Sequence, residues 1–247
     1  MSSSREPSIK TENRLLAALP PVEYDRLLPH LEPVRLPRNR ILCESGDELR
    51  WAYFLNDGMA ALLAITEEGQ TVDLCTIGKE GVIGLPIIEN VPFMPCRVVT
   101  QLPCDALMIR SEPLLVEFNR GGAMQKLLLK YAYIQEVQII QSVVCHSLHT
   151  IRQRLCRWLL VISDHLQSES FAVTQEHIAN MLGHQRNRIT LAARELLQQG
   201  LVEYGAGSMT IVDRSGLETA ACECYRVIRD LNCQCSWLPP RAVSKEI

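Results

Sequence analysis

The strongest constraint in this sequence is a pair of short amphipathic helices on either side of Gly183. Apolar residues recur at helical spacing over residues 175–182 and again over residues 185–199. Residues 201–212 then form two short apolar runs around a glycine-rich turn, a pattern typical of a β-hairpin. Two helices joined at a glycine and followed by a hairpin predict a winged helix-turn-helix.

The outward-facing positions of the second helix are polar or cationic. Residues 183–194 contain no acidic residue, whereas amides and guanidinium groups are frequent. These side chains suit a helix that enters the major groove of DNA, where they can hydrogen-bond base edges. The candidates for base contacts are Gln185, Arg186, Asn187, Arg188 and Thr190.

Other cations lie on the preceding helix and later in the second helix, where they could contact DNA phosphates. Phosphate contacts set register and salt dependence but carry no sequence preference. The candidates are Arg152, Arg154, Arg157 and Arg194, together with Thr174, which is also positioned to cap the first helix. An ordinary solvated helix face is the alternative interpretation. It is disfavoured because the turn glycine, the buried positions and the hairpin are all in register.

The first half of the chain has a different pattern of apolar and turn-forming residues. Between residues 36 and 109, short apolar runs alternate with turn signals about every ten residues, at Gly46, Gly58, Gly69 and Gly78. This spacing predicts a small antiparallel β-barrel or jelly roll. Together with the helices, it indicates an α+β protein with an N-terminal barrel and a C-terminal winged helix-turn-helix.

A long helix is predicted between these two parts, from about residue 123 to residue 145. Its apolar residues form two stripes, one of Leu127, Tyr131 and Ile134 and a second of Leu129, Tyr133, Val137, Ile140 and Val144. A helix with two apolar faces needs two partners. We expect one face to pack on the barrel and the other on the same helix of a second subunit. Burial of the whole helix within one monomer is the alternative.

Composition limits the remaining possibilities. The net charge of −3 excludes a globally basic nucleic-acid coat, although a local basic face remains possible. No segment approaches the length of apolar chain that a membrane span needs, and the N-terminus has no signal core. A cytoplasmic protein without a membrane partner is expected. Its ten cysteines are therefore interpreted as reduced thiols rather than as a disulfide framework.

The order of barrel, long helix and winged helix-turn-helix resembles the Crp/Fnr family of bacterial transcription regulators. The most specific match is Ile178-Ala179-x-x-Leu182-Gly183-x-x-Arg186-x-x-Ile189-Thr190. The resemblance implies a homodimer that binds two-fold symmetric DNA, with an effector in the barrel and RNA polymerase as a partner. It also implies a division into residues 1–13 as a flexible arm, 14–122 as the effector barrel, 123–147 as the dimerisation helix, 148–216 as the DNA-binding domain and 217–247 as a C-terminal helix and tail.

The sequence departs from this family at positions that matter for ligands. Members that bind cyclic nucleotides carry a glycine-glutamate pair, but here Leu85 follows Gly84. Arg97 is the only cation between residues 82 and 109, and it aligns away from the family's phosphate-binding position. Because a buried phosphodiester needs a well-placed cation, a response to cyclic AMP is not expected. The effector stays unknown at this point.

The recognition helix also differs from the familiar family pattern. Asn187 and Leu191 replace a glutamate and an arginine, so a different operator sequence is expected. The oxygen sensors of the family hold an iron–sulfur cluster through N-terminal cysteines, whereas the first cysteine here is Cys43.

Two C-x-C units near the C-terminus raise the possibility of zinc or an iron–sulfur cluster. The candidate ligands are Cys222, Cys224, Cys233 and Cys235. A helical apolar stripe runs through this region, and residues two apart on a helix point in nearly opposite directions. The sequence therefore favours structural thiols with no cofactor. Cys145 and Cys156, near the junction of the long helix and the DNA-binding domain, are likewise expected to be buried structural thiols.

The chain contains no phosphate-binding glycine loop, zinc-protease helix or nucleophile elbow, so an enzyme is not expected. The preferred hypothesis is a homodimeric Crp/Fnr-type regulator. One alternative is a redox or metal sensor that acts through the cysteines, and another is a regulator with an unoccupied barrel. A ligand- or protein-binding module that no longer binds DNA is the alternative from a different class.

Overall fold

The computed structural model describes residues 11–91, 93–205 and 207–234. The described chain begins against the barrel rather than as a free arm. Asn13 is fully buried, its Oδ1 caps the first helix, and its Nδ2 donates to the carbonyl oxygens of Leu55 and Gly81. The expectation of a flexible arm is therefore wrong for residues 11–13, because the side chain of Asn56 also holds their backbone. Residues 1–10 of that predicted arm lie outside the described residues.

Two short helices precede an antiparallel jelly roll, which confirms the predicted fold class. The helices are α1 (Arg14–Ala17) and α2 (Pro21–Leu27). The strands are β1 (Glu32–Leu36), β2 (Ile41–Cys43), β3 (Trp51–Leu55), β4 (Met59–Ile65), β5 (Thr71–Ile77), β6 (Val82–Ile83), β7 (Arg97–Leu102) and β8 (Cys104–Arg110). They form two four-stranded sheets, ordered β1-β8-β3-β6 and β2-β7-β4-β5.

The interior of the barrel is apolar and closely packed. Phe54, Leu62, Ile83 and Leu107 are among its buried side chains. The cysteines of this region, Cys43, Cys75, Cys96 and Cys104, are buried in the same core, as the sequence predicts. Burial raises the pKa of the Cys96 thiol to about 11 and that of Cys104 to about 12, so both thiols stay protonated.

After α3 (Ser111–Asn119), the long helix α4 runs over Ala123–Leu148. Its buried face includes Met124, Leu128, Tyr131 and Ile134 and packs against β5. Leu127, which the sequence assigns to this stripe, is only half-buried at its edge. The predicted second stripe faces solvent at Leu129, Tyr133 and Ile140, each more than half exposed, and at the half-buried Val137 and Val144.

The C-terminal domain has the predicted winged arrangement. Its elements are α5 (Ile151–Leu166), β9 (Ser170–Ala172), α6 (Gln175–Leu182), α7 (Arg186–Gln198), β10 (Val202–Gly205), β11 (Ser208–Ile211), α8 (Arg214–Ala220) and α9 (Cys224–Gln234). The strands form one antiparallel sheet in the order β10-β11-β9. Over the described part of the chain, no helix is long and apolar enough to cross a membrane.

This domain packs directly on the β4–β5 side of the barrel. Met59, Ala61 and Leu63 of β4 belong to the same buried cluster as Met181 of α6. A buried ion pair adds to this contact, because Nδ1 of His165 on α5 lies 3.3 Å from a carboxylate oxygen of Glu80, between β5 and β6.

The pKa values of this pair move in opposite directions. Burial disfavours the Glu80 carboxylate, but His165 and the backbone N–H of Gly78 outweigh that effect and lower the pKa of Glu80 to about 2. Burial also opposes protonation of His165, yet Glu80, aided by Asp164 and opposed by Arg14, raises the pKa of His165. Each charge therefore stabilises the other across the domain contact.

Replacing the carboxylate tests the contribution of this pair to stability. Because the pKa of Glu80 is lowered, its contribution to stability is fully present above pH 4.5, the ordinary pKa of the group. Because the pKa of His165 is raised, its contribution is fully present below pH 6.5 and is lost as the pH rises through the raised pKa. We expect Glu80→Gln to lower the free energy of unfolding by about 3 kcal/mol near pH 5.5, and by less at about pH 9. Urea unfolding at both pH values measures this difference. Glu67→Gln, in an exposed turn, is the control. Equal destabilisation at both pH values would contradict the prediction.

Candidate functional site

The helix-turn-helix is formed by α6 and α7. The Thr174 hydroxyl accepts the N–H of His177 at 3.1 Å and so caps α6, and Gly183 ends it with a left-handed φ of 65°. The two helices are joined by a hydrogen bond from the Thr190 hydroxyl to Oε1 of Gln175 at 2.7 Å. Ile189 of α7 is fully buried in the core of the domain. These contacts orient α7 as one rigid unit with α6.

The first half of α7 presents the predicted base-reading residues to solvent. Gln185, Arg186, Asn187 and Arg188 are exposed, and the first turn holds no acidic side chain. An open depression on this face is lined by Arg186, Asn187, Thr190, Leu191 and Arg194. Exposed cationic side chains therefore lie at the N-terminus of α7, which favours binding of an anionic polymer. Thr190 is half-buried and already bonded to Gln175.

Two of the four arginines predicted to contact phosphates are not at the surface. Arg154 is 4% and Arg157 6% exposed. Arg154 lies against His146 of α4 and the end of α6, and Arg157 is close enough to Asp73 of β5 to affect its pKa. The prediction that these two arginines present an open phosphate-binding face is therefore wrong for this structure. Arg152 is partly exposed and donates to Oε1 of Gln199 at 2.5 Å.

The buried arginines lie among neutral and acidic partners. Arg154 donates to the carbonyl oxygen of Leu182 at 2.5 Å and contacts ring nitrogens of His184 and His146. Burial, together with Arg154 and Arg157, lowers the pKa of His146 to about 4, so its ring is neutral and can accept a hydrogen bond. Burial raises the pKa of Asp73 to about 6 although Arg157 opposes it. Arg154 thus binds the turn of the helix-turn-helix to the end of the long helix.

The cysteines near the C-terminus are arranged differently from the sequence prediction. The predicted single helix is interrupted, because Ala221 adopts an extended conformation between α8 and α9. Cys222 therefore lies in the interruption and Cys224 at the first position of α9, so their side chains do not diverge as they would on one helix. The expectation that the two cannot share a site is wrong for this physical reason.

Four donor atoms converge at this point and define the thiol cluster. It consists of Cys145 and His149 at the end of α4 with Cys222 and Cys224, and all four donor atoms lie within 4.8 Å of one another. Sγ of Cys145 lies 3.5 Å from Sγ of Cys222, and Sγ of Cys224 lies 3.4 Å from Nδ1 of His149. The cluster joins the long helix to the last described helix.

The three cysteines of the thiol cluster are buried and share protons. A hydrogen bond from Cys222 lowers the pKa of Cys145 to about 5, and the same bond raises the pKa of Cys222. Of the other predicted candidates, Cys233 lies on α9 and Cys235 lies outside the described residues. The sequence signal for the missing partners was the spacing of Cys145 and His149, which places them one turn apart on one helix face.

Arg97, the one cation between residues 82 and 109, lies on strand β7 of the barrel. The Arg97 guanidinium forms a two-pronged pair with Glu44, at 2.8 and 2.9 Å, and is therefore partly neutralised at the end of its strand. Gly84 has a left-handed φ of 109°, and the short helical turn Leu85–Ile87 after it is apolar and largely buried.

Comparisons with known proteins agree with this architecture. The model of the cyclic nucleotide-binding domain matches residues 33–120, and that of the Crp-like helix-turn-helix domain matches residues 153–220. Together these matches cover more than half of the 247 residues. No curated protein matches the sequence significantly.

Several solved structures share the fold at low sequence identity. A Crp/Fnr family regulator from Eubacterium rectale superposes with a TM-score of 0.67 at 18% identity, covering 83% of this chain and 96% of that one. FixK2 from Bradyrhizobium japonicum gives 0.68 at 13% identity, covering 78% and 98%. The c-di-GMP-responsive regulator CLP from Xanthomonas campestris gives 0.65 at 16% identity, covering 77% and 98%.

A nucleotide-binding-type barrel followed by a long helix and a winged helix-turn-helix defines a transcription regulator rather than an enzyme. More specifically, the chain belongs to the Crp/Fnr family of transcriptional regulators. The family resemblance noted in the sequence is thereby confirmed.

Proposed function

We propose that this regulator binds a two-fold symmetric DNA site as a homodimer, with α7 of each subunit in the major groove, and that cyclic AMP does not control it. The main support is the exposed, acid-free start of α7, where Arg186, Asn187 and Arg188 directly follow the N-cap residue Gln185. Thr190 lies next to them at the edge of the depression. Side chains of this kind hydrogen-bond base edges, and paired helices read half-sites about one helical turn apart.

Phosphate contacts are assigned to the polar groups that reach the surface around α7. These are Arg152, Arg194 and the hydroxyl of Thr174. They would neutralise the backbone on either side of the groove and give the complex its salt dependence. The proposed domain division has residues 14–122 as effector barrel, 123–147 as dimerisation helix, 148–216 as DNA-binding domain and 217–247 as C-terminal helix and tail. Two of its boundaries fall inside helices, since α4 extends to Leu148 and α8 spans Arg214–Ala220. Double-stranded DNA and RNA polymerase are the expected partners, and the cytoplasm is the expected location.

Removing the first arginine of α7 tests base recognition. We expect Arg186→Ala to cost about 1–3 kcal/mol in binding to the selected operator and to relax base preference at one position per half-site. Fluorescence anisotropy on an operator obtained by in vitro selection measures both effects. Arg35→Ala, an exposed cation on β1, is the matched control and should leave binding unchanged. Wild-type affinity and preference in Arg186→Ala would remove Arg186 from the reading surface.

The homodimer is supported by the exposed apolar stripe of α4. Leu129, Tyr133, Ile140 and Val143 are each more than half exposed and repeat at spacings of three, four and seven residues. Such a stripe suits pairing with the same helix of a second copy, because a two-fold axis lets one surface cover itself. The stripe therefore has a partner in the dimer that a single subunit does not provide.

A charge in the middle of this stripe should separate the subunits. We expect Ile140→Glu to weaken self-association by about 100-fold or more, because two carboxylates would face each other across the two-fold axis. Analytical ultracentrifugation over a range of protein concentrations measures the change. Val116→Glu places the same charge on a comparably exposed valine of α3 and should leave the dimer intact. A dimer of unchanged stability in Ile140→Glu would refute this interface.

Independence from cyclic AMP is supported by the chemistry of the barrel. Leu85 occupies the position after Gly84 where cyclic-nucleotide binders have glutamate, and Arg97 is already paired with Glu44. A cyclic phosphate buried here would lack a compensating charge.

We therefore expect that cyclic AMP leaves the affinity for the operator unchanged and gives no heat of binding. Isothermal titration calorimetry and operator anisotropy check this, with a cyclic-AMP-binding member of the family as positive control. A saturable change in either signal would contradict the prediction.

A further inference from the structure

We propose that Cys145, His149, Cys222 and Cys224 form a closed tetrahedral zinc site that fastens the start of α9 to the end of α4. The proposal rests on the geometry and donor chemistry of the thiol cluster, and it does not depend on whether the protein binds DNA. Zinc is bound in structural sites by four cysteine or histidine ligands, and three cysteines with one histidine is a common set. Soft thiolates also select zinc over magnesium, calcium or manganese.

The distances suit a single ion. Zinc–sulfur bonds of about 2.3 Å and zinc–nitrogen bonds of about 2.0 Å place two sulfurs about 3.8 Å apart and a sulfur about 3.5 Å from a nitrogen in a tetrahedron. The cluster has 3.5 Å between Sγ of Cys145 and Sγ of Cys222, and 3.4 Å between Sγ of Cys224 and Nδ1 of His149. An iron–sulfur cluster holds its ligands on two or more irons joined by sulfide bridges, so its ligands on different irons lie farther apart than these four donors, which are all within 4.8 Å of one another.

Neighbouring groups are positioned to orient the ligands. The other ring nitrogen of His149, Nε2, lies 3.2 Å from a carboxylate oxygen of Glu223, an arrangement that directs Nδ1 toward the centre of the cluster. The amide of Gln141 donates to Sγ of Cys224 at 3.1 Å, as it would to a metal-bound thiolate. Three thiolates around a divalent ion leave one negative charge, and the buried Arg154 and Arg157 interact electrostatically with these cysteines.

Other interpretations of the cluster account for less. The three cysteines form a small buried group of their own, separate from both apolar cores, so they are not filling space within a larger core. A disulfide between Cys145 and Cys222 would leave Cys224 and His149 without a role. Zinc uses all four donors, and each thiol that binds as a thiolate releases its proton to the solvent.

The site has a clear mechanical consequence. Two ligands lie in the last turn and at the end of α4, and two lie at the interruption before α9. With four protein ligands, no coordination position stays open for substrate, so the ion would be structural rather than catalytic. It would hold α9, the last described helix, on the helix assigned to dimerisation.

Metal analysis of the full-length protein tests the proposal. The protein is purified under reducing conditions without chelator or metal-affinity resin, and zinc and iron are counted by mass spectrometry. We expect about one zinc ion per chain and, after exchange with Co²⁺, the intense visible absorption of tetrahedral thiolate-bound cobalt. Failure to retain zinc or cobalt after reconstitution would overturn the proposal. Stoichiometric iron with a cluster-like spectrum, or a Cys145–Cys222 disulfide in reduced buffer, would also overturn it.

Variants identify the ligands. Cys224→Ser and His149→Ala should each weaken zinc retention against a competing chelator at least tenfold. Cys156→Ser is the matched control, since Cys156 is a fully buried cysteine of α5 outside the cluster, and it should retain zinc like the wild type. Wild-type retention by Cys224→Ser would refute the assignment. If a variant fails to fold, the cobalt spectrum of the wild-type chain still decides between a tetrahedral thiolate site and none.

Discussion

The packing of α4 on the barrel is the contact on which the other parts depend. Tyr131 is buried at its centre, and a Cβ on Gly81 would lie 2.0 Å from the tyrosine hydroxyl, so only glycine permits the helix to approach this closely. The thiol of Cys75 on β5 also donates to Oε1 of Gln138 on α4 at 2.9 Å. Because one face of α4 packs on the barrel, its apolar stripe faces solvent. The C-terminal end of α4 contributes Cys145 and His149 to the thiol cluster.

The DNA-binding domain is held against this frame by contacts of three different kinds. Apolar side chains of β4 and α6 share a core, Glu80 and His165 form a buried ion pair, and the thiol cluster joins α9 to α4. Apolar contacts depend weakly on pH, the ion pair depends on it through both partners, and the thiols respond to metal and redox state. The contacts that hold the domain of α7 therefore differ in the solution conditions to which they respond.

The sequence predicts a structural feature well where the residues that determine it lie within a few positions of one another, and poorly where they are far apart in the chain. The bounds of α6 agree with the sequence prediction because a capping threonine and a terminal glycine act within a few residues. The burial of Arg154 and Arg157 was not predictable in this way, since it depends on contacts with groups distant in sequence, such as the Leu182 carbonyl for Arg154 and Asp73 of β5 for Arg157. The interruption before α9 has no glycine or proline signal at Ala221, and it brings together residues 77 apart in sequence.

Strand β5 of the barrel contacts both the long helix α4 and the first helix of the helix-turn-helix, α6. Val72 of β5 lies against the turn at Gly183, where an added Cβ would be 2.8 Å from its Cγ2, and the Thr71 hydroxyl donates to the carbonyl oxygen of Asn180 at 3.0 Å. Closely packed interiors transmit displacement rather than absorb it. The long helix and the helix-turn-helix therefore share β5 as a common packing surface. The helix-turn-helix is thus held to the barrel by direct contacts of β5, in addition to those of β4 and of the Glu80–His165 pair.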